Sequence, residues 1–311
     1  MRAVRSTPPG VAVVDVDEPD GPGELINIRS ASICASDFGY IEMGSQFLLG
    51  HELAGTTEDG RAVAIEAIFG CGECDLCLEG RYNLCATTGT TALGVMVDGG
   101  MSEWFRAPAR SLVDLPEGLA ATDACLVEPT AVAWHSCRLA GAGPEQRVCV
   151  VGGGAIGLMA VASARAMGAV EVSLEARYPH QVEFGERLGA TEPSGLYDVV
   201  IEAAGSESAL HRCTELAAPG GSMGVLGVFG PETTWPQFQC FMKELRTVPT
   251  LGYCRHSRGR DFDDAANLLA STPSLVDALI THRFPIEDAP EAFRVAADKS
   301  TGALRVVIEP T

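Results

Sequence analysis

Positive charge is scarce in this chain: 22 lysines and arginines stand against 41 aspartates and glutamates, a formal net charge of −19. An acidic surface repels phosphate backbones and anionic lipid heads, so nucleic-acid and membrane-surface partners are not expected. No run of 18 or more apolar residues occurs, and no transmembrane span is predicted. The opening Met1-Arg2-Ala3-Val4-Arg5-Ser6, followed by Pro8-Pro9-Gly10, has no apolar signal-peptide core, so a cytoplasmic location is expected. An internal repeat, a Ser/Pro-rich linker and a long block of like charge are also missing.

What remains is a well-packed composition. Hydrophobic residues make up 46% and charged residues 20% of 311 positions, which suits a globule with room for about two domains. Apolar runs at 11–14, 25–28 and 62–65, broken by Gly and Pro, predict short strands and a mostly β domain to about residue 128. Further on, runs at 147–151, 170–174, 197–201 and 224–228 read as strands, with helices at 158–167 and 181–188. Strands alternating with helices predict a parallel sheet with right-handed crossovers, hence an α/β fold class. Residues 262–269 predict a helix and 304–308 a closing strand.

Eleven cysteines would suit a disulfide framework in a short secreted chain, but four of them sit at metal-ligand spacing in a long one. Cys71, Cys74, Cys77 and Cys85 follow C-x2-C-x2-C-x7-C. Four thiolates from one loop can close a tetrahedron around zinc with no open position, which describes a structural site; an iron–sulfur cluster is the competing occupant. Cys125, Cys137, Cys149, Cys213, Cys240 and Cys254 show no pairing pattern and are expected as buried thiols.

The strand at 147–151 runs into Gly152-Gly153-Gly154-Ala155-Ile156-Gly157, in which Gly152, Gly154 and Gly157 match G-x-G-x-x-G. In a strand–loop–helix context the first glycine makes the tight turn, the second admits the pyrophosphate and the third lets helix and strand approach. The ribose-reading position lies about twenty residues on. Nineteen residues after Gly157 comes Ala176, then Arg177, with Glu175 one place before. With Ala176 in the slot no carboxylate meets the 2′-hydroxyl, Arg177 can pair with a 2′-phosphate and His180 can assist, which favours NADP. The competing reading has Glu175 serve NAD, with Arg177 a solvated surface residue.

Cys34, Ser36 and Asp37, then His51 and Glu52, precede the cysteine loop, and Glu128 follows it. In this order, together with the cysteine loop and the glycine loop, they resemble the zinc-containing medium-chain dehydrogenase/reductase (alcohol dehydrogenase) family. The resemblance extends to 280–285 and 302–307, and the secondary-alcohol and polyol type is nearest. It implies a GroES-like catalytic domain over 1–128 with the structural zinc loop, a Rossmann domain over 129–265, and a return to the first domain over 266–311. It also implies two zinc ions per chain and reversible hydride transfer between NAD(P) and a small secondary alcohol or polyol and its ketone. Cys34 and His51 then resemble catalytic zinc ligands, with Glu128 at the third-ligand place. Glu52 resembles a carboxylate that binds zinc or stands behind it, Asp37 the partner that orients His51, and Ser36 the proton acceptor. A homodimer or homotetramer is expected on the same grounds, with 223–229 as a candidate edge for sheet pairing.

The chain departs from its relatives in three places. Gly39 stands where many carry a histidine two residues after Asp37, so Tyr40, the cofactor ribose or water must pass the proton outward. Residues 56–60 replace a longer hairpin, and 191–196 are too few for the usual crossover helix. The alternatives are a zinc-free quinone reductase-like protein and a non-catalytic NADP(H)-binding sensor on the same fold. For Glu52 and Glu128, a plain salt bridge or a helix cap is the other reading.

Overall fold

Alternating apolar residues draw the first third of the chain into strands, as expected. In this computed structural model residues 1–310 are described, the side chain of Lys299 excepted. Strands β1 (Arg2–Thr7) and β2 (Gly10–Asp15) make an antiparallel hairpin. Strand β3 (Glu24–Ser32) leads through helix α1 (Ala35–Glu42) to β4 (Glu52–Thr57) and β5 (Ala62–Ile65). The cysteine loop holds two single-turn helices, α2 (Asp75–Leu78) and α3 (Thr88–Thr91), and is followed by β6 (Trp104–Ala107) and β7 (Leu112–Asp114).

Helix α4 (Val127–Ala140) leads into a second unit, Pro129–Tyr253. It contains β8 (Arg147–Val151), α5 (Ala155–Ala166), β9 (Glu171–Glu175), α6 (Pro179–Arg187) and β10 (Tyr197–Glu202). Helix α7 (Glu207–Leu216), β11 (Ala217–Val225), α8 (Gln237–Met242) and β12 (Arg246–Pro249) complete it. The five strands are parallel in the order β12-β11-β10-β8-β9, so the order reverses between β8 and β10. Val148, Cys149, Val150, Val200 and Ile201 are fully buried, the unbroken apolar pattern of strands in a helix-covered parallel sheet.

Strand β11 ends at Val225 rather than 228, and it begins at Ala217 because Pro219-Gly220-Gly221 disguises its start as a turn. It also lies between β10 and β12, so 223–229 is not a sheet edge; β12 is. The short stretch before β10 is as the sequence suggests: among the described residues no helix lies between α6 and β10, and Thr191 makes a single bridge to Ser173. Arg147 ties this stretch down, donating to the carbonyls of Ser194 (2.7 Å) and Leu196 (2.5 Å) and to both oxygens of Glu171, with its guanidinium over the Tyr197 ring.

The chain rejoins the first unit at Cys254, ahead of the expected residue 266. The physical reason is local: the Arg255 N–H donates to the Gly80 carbonyl and Arg260 reaches Glu66, both in the first unit. There follow β13 (Arg255–His256), β14 (Gly259–Arg260), α9 (Asp261–Ser271), α10 (Pro273–Leu279), β15 (Ile280–Pro285), α11 (Ala289–Ala297) and β16 (Arg305–Glu309). Strand β16 pairs with β3 and completes the sheet order β15-β16-β3-β4-β5-β7, with β6 on β3. Ile26, Ile28, Leu53, Ile65, Met101 and Ile308 form its core, each such burial stabilising the fold by roughly 1.5–3 kcal/mol. No helix among the described residues is long and apolar enough to cross a membrane.

Candidate active site

In the first unit, α1 begins where Cys34 caps it. The Cys34 N–H donates to Asp37 Oδ2 (2.9 Å), so the helix start fixes the thiol and the carboxylate together. His51 enters just ahead of β4, its Nδ1 3.4 Å from Asp37 Oδ1. Among the described residues neither of these two buried atoms has another hydrogen-bond partner. A proton on Nδ1 therefore faces Asp37 and leaves the Nε2 lone pair available to a metal. Ser36 Oγ donates to Cys34 Sγ (3.2 Å) and lies 3.4 Å from His51 Nε2.

Cys34, His51 and Glu52 offer one ligand atom each, all within 4.8 Å of one another. Glu52 is also held from behind: both its oxygens accept from Arg305 Nη1 (2.7 and 2.8 Å), and Ser32 Oγ donates to it. Glu128, in the first turn of α4, is buried, and its pKa is pushed up to about 8, by burial first and then by the charge of Glu52. Asp37 is raised to about 6 by burial against the pull of His51. Burial lowers the His51 pKa, but the carboxylate of Asp37, with Cys34 beside it, holds it well above the ordinary range. The acidic groups around His51 leave the pocket short of positive charge, while Glu128 is raised chiefly by its removal from water. A dication relieves that, and the sulfur–nitrogen–carboxylate donor set suits zinc.

The four loop cysteines also converge, their sulfurs within 4.8 Å of one another: Cys71 is 3.9 Å from Cys77 and Cys74 is 3.7 Å from Cys85. These spacings exceed an S–S bond, and none of the cysteines is disulfide-linked. The Thr87 hydroxyl, followed by backbone N–H groups, holds Cys85 down at about 5, and the N–H groups of Glu73 and Cys74 lower Cys71. Against the N–H of Cys77, burial and the neighbouring thiols push Cys74 up to about 11, so two of the thiols are readied as thiolates, and it is the four sulfurs within one shell that fit a closed tetrahedral zinc site. Tyr82, inside this loop, donates to the buried Glu66 beside β5 and so anchors the loop to the sheet.

In the second unit, the glycine loop joins β8 to α5. Gly152 has φ 119°, and a Cβ there would come within 2.7 Å of Ala203 and Ala204. A Cβ on Gly157 would stand 1.7 Å from the Gly152 carbonyl oxygen, so only glycine allows this approach of helix to strand. Gly154 caps α5 and nothing crowds it; Ala155 and Ile156 open the helix, whose N–H groups face the loop. Ala176 lies beside Gly153, where an added Cβ would meet it at 2.5 Å. Both oxygens of Glu175 accept instead from Arg212 Nε (2.9 and 2.8 Å). Arg177 lies over the Tyr178 ring, which stacks on His180.

Sequence reasoning missed Arg305, Ser32, Glu66, Arg212 and Glu202, each of which matters through a partner far along the chain. A charge in an otherwise apolar run could have signalled Glu66, Glu202 and Arg305; Ser32 and Arg212 carry no such signal.

Comparison with known proteins divides the chain once, between residues 117 and 121. A family described as alcohol dehydrogenase GroES-like domain matches residues 21–117, and one described as glucose dehydrogenase C-terminus matches 121–309. The chain is 33% identical to D-xylulose reductase A of Aspergillus oryzae, covering 88% of this chain and 86% of that protein. Sorbitol dehydrogenase 1 of Saccharomyces cerevisiae is 31% identical, with 86% and 85% covered. Among solved structures, L-idonate 5-dehydrogenase from Escherichia coli is 26% identical with a TM-score of 0.87, covering 99% of this chain and 97% of that one. A structure described as a zinc-binding dehydrogenase from Sinorhizobium meliloti bound to NADP is 27% identical with a TM-score of 0.86, covering 99% of each.

Proposed function

The chain belongs to the zinc-containing medium-chain dehydrogenase/reductase family and is a nicotinamide-dependent alcohol dehydrogenase, and we propose that Cys34, His51 and Glu128 hold its catalytic zinc. Its substrates are small secondary alcohols or polyols and the matching ketones, a class to which the names of its relatives point. Cys34, His51 and Glu52 meet within 4.8 Å, which carries the pocket, and Glu128 is assigned to it by its burial and by the charges of Glu52 and His51 rather than by that meeting. Arg305 and Ser32 already engage Glu52, so it stands behind the site, while Glu128, buried beside that negative charge, gains most from a cation. The zinc-free and sensor alternatives have no use for this donor set.

When bound, zinc supplies a Lewis acid that lowers an alcohol's pKa, and the nicotinamide supplies an acceptor for hydride. The protein's part is to place and to move protons. Asp37 fixes the His51 tautomer, and Ser36, within reach of both Cys34 and His51, takes the hydroxyl proton. With Gly39 in place of an imidazole, that proton leaves through Tyr40, the cofactor ribose or water. Cys71, Cys74, Cys77 and Cys85 hold a second, structural zinc.

The dinucleotide lies on Gly152, Gly154, Ala155, Ile156 and Gly157, and we favour NADP over NAD. Ala176 adjoins the loop, Glu175 is held by Arg212, and Arg177 and His180 follow as partners for a 2′-phosphate. Self-association into a homodimer or homotetramer is supported by Phe238, Phe241 and Met242, apolar and exposed on α8. The reducing cytoplasm suits the thiolate loop. Zinc analysis of purified protein tests the metal assignment: two ions per chain, falling to one in Cys34→Ser. One ion per chain in the parent, unchanged by that substitution, would sink it.

A further inference from the structure

We propose that Glu202 is a positioning residue for the nicotinamide half of the dinucleotide, clamping the two loops at the carboxyl ends of β10 and β11 into one geometry. The proposal rests on the dinucleotide-dependent reading above. Glu202 is the last residue of β10, level with Val151 on β8 and Val225 on β11. The strand order reverses between β8 and β10, and open α/β sheets bind their ligands at the carboxyl ends of strands at such a point.

The side chain is fully buried, and three backbone N–H groups converge on it. Oε1 accepts from Ala204 (2.9 Å) and Gly205 (2.7 Å), in the turn that leads into α7. Oε2 accepts from Gly227 (3.1 Å), in the loop after β11. The first of these loops is pressed against the dinucleotide glycines, since a Cβ on Gly152 would come within 2.7 Å of Ala203 and Ala204. The second is packed as tightly on the carboxylate: a Cβ on Gly227 would stand 2.6 Å from Oε2.

A buried carboxylate answered only by amides costs stability relative to a neutral side chain. What it provides is acceptance through both oxygens at once. Glutamine has one acceptor oxygen, and its NH2 would oppose an N–H on whichever loop it faced. One of the two loops would then lose its hold. The glycine loop and Ala176 follow β8 and β9, so the adenosine half of the cofactor has its own support. Glu202 serves the other half.

The test is binding to the full, zinc-loaded chain, using whichever of NADPH and NADH the parent holds more tightly. The matching fragment, adenosine 2′,5′-bisphosphate or AMP, is titrated in parallel. Glu202→Gln is expected to weaken the full dinucleotide about tenfold or more while the fragment binds as before. Gly227→Ala reaches the same contact from the other side and is expected to show the same selective loss, which carries the test should Glu202→Gln fold poorly. Full dinucleotide bound as tightly as by the parent in a folded variant overturns the proposal. An equal loss of dinucleotide and fragment also overturns it, because it marks general loosening. A parent that binds neither NADPH nor NADH overturns the dehydrogenase reading itself.

Discussion

Truncating Arg305 to alanine removes from Glu52, which has 0% exposure, the guanidinium that both its oxygens accept from. Breaking a buried pair from one side costs roughly 3–5 kcal/mol, so Arg305→Ala should lose about that much in urea unfolding; a loss below about 1 kcal/mol would show that Glu52 does not depend on it. Glu66 gives a pH signature. Burial raises its pKa from 4.5 to about 7, against the Tyr82 hydrogen bond and the Arg260 charge. The folded chain thus holds this proton more tightly than the unfolded chain. Its contribution is complete below pH 4.5, falls as pH rises through 7, and spans at most about 3 kcal/mol. Glu66→Gln should flatten stability across that window relative to the parent, and an unchanged slope would assign the titration elsewhere. At the cofactor, Ala176→Asp returns a carboxylate beside Gly153. The kcat/KM ratio of NADP⁺ to NAD⁺ should fall about tenfold or more, each tenfold corresponding to about 1.4 kcal/mol. No change would return the selecting role to Glu175.

At the scale of elements, Arg147 substitutes for a crossover helix. Arg147→Ala removes charge-assisted bonds to two carbonyls and to Glu171, and should cost about 1–3 kcal/mol with faster amide exchange over 191–197. Unaltered exchange there would mean that the Thr191 bridge and the Ser194 N–H bond to the Tyr197 hydroxyl suffice to hold the segment. Elements such as β5, β8 and α6 were legible because their apolar spacing is a local property that the folded context leaves intact. The start of β11 was hidden because Pro219, Gly220 and Gly221 punctuate like a turn: the register with β10 jumps over them, from Ala217 to Ser222, and pairing with β12 begins only at Ser222. The cysteine loop stood out for another reason, since few other chemistries use four cysteines at that spacing, whereas Cys34 and His51 stood out only through the family resemblance. The Glu52–Arg305 pair spans 253 residues, and no pattern along the chain names such a partner.

At the scale of the whole molecule, Phe238 and Phe241 are 70% and 75% exposed on a short helix of the second unit. If they bury against a second copy, Phe241→Asp should lower the molar mass seen by light scattering towards that of one chain. A parent already at one chain's mass would contradict the oligomer. The central claim is that a zinc held by Cys34 and His51 turns this acidic α/β chain into a dehydrogenase of secondary alcohols or polyols. It is tested most directly by following reduced-nicotinamide absorbance with NADP⁺ and NAD⁺ against a panel of such alcohols, in the parent and in Cys34→Ser. Turnover in the parent, abolished in a folded Cys34→Ser that has lost one zinc, is the predicted result. Turnover that survives in Cys34→Ser, or a two-zinc parent inert towards every alcohol and matching ketone offered, would contradict it.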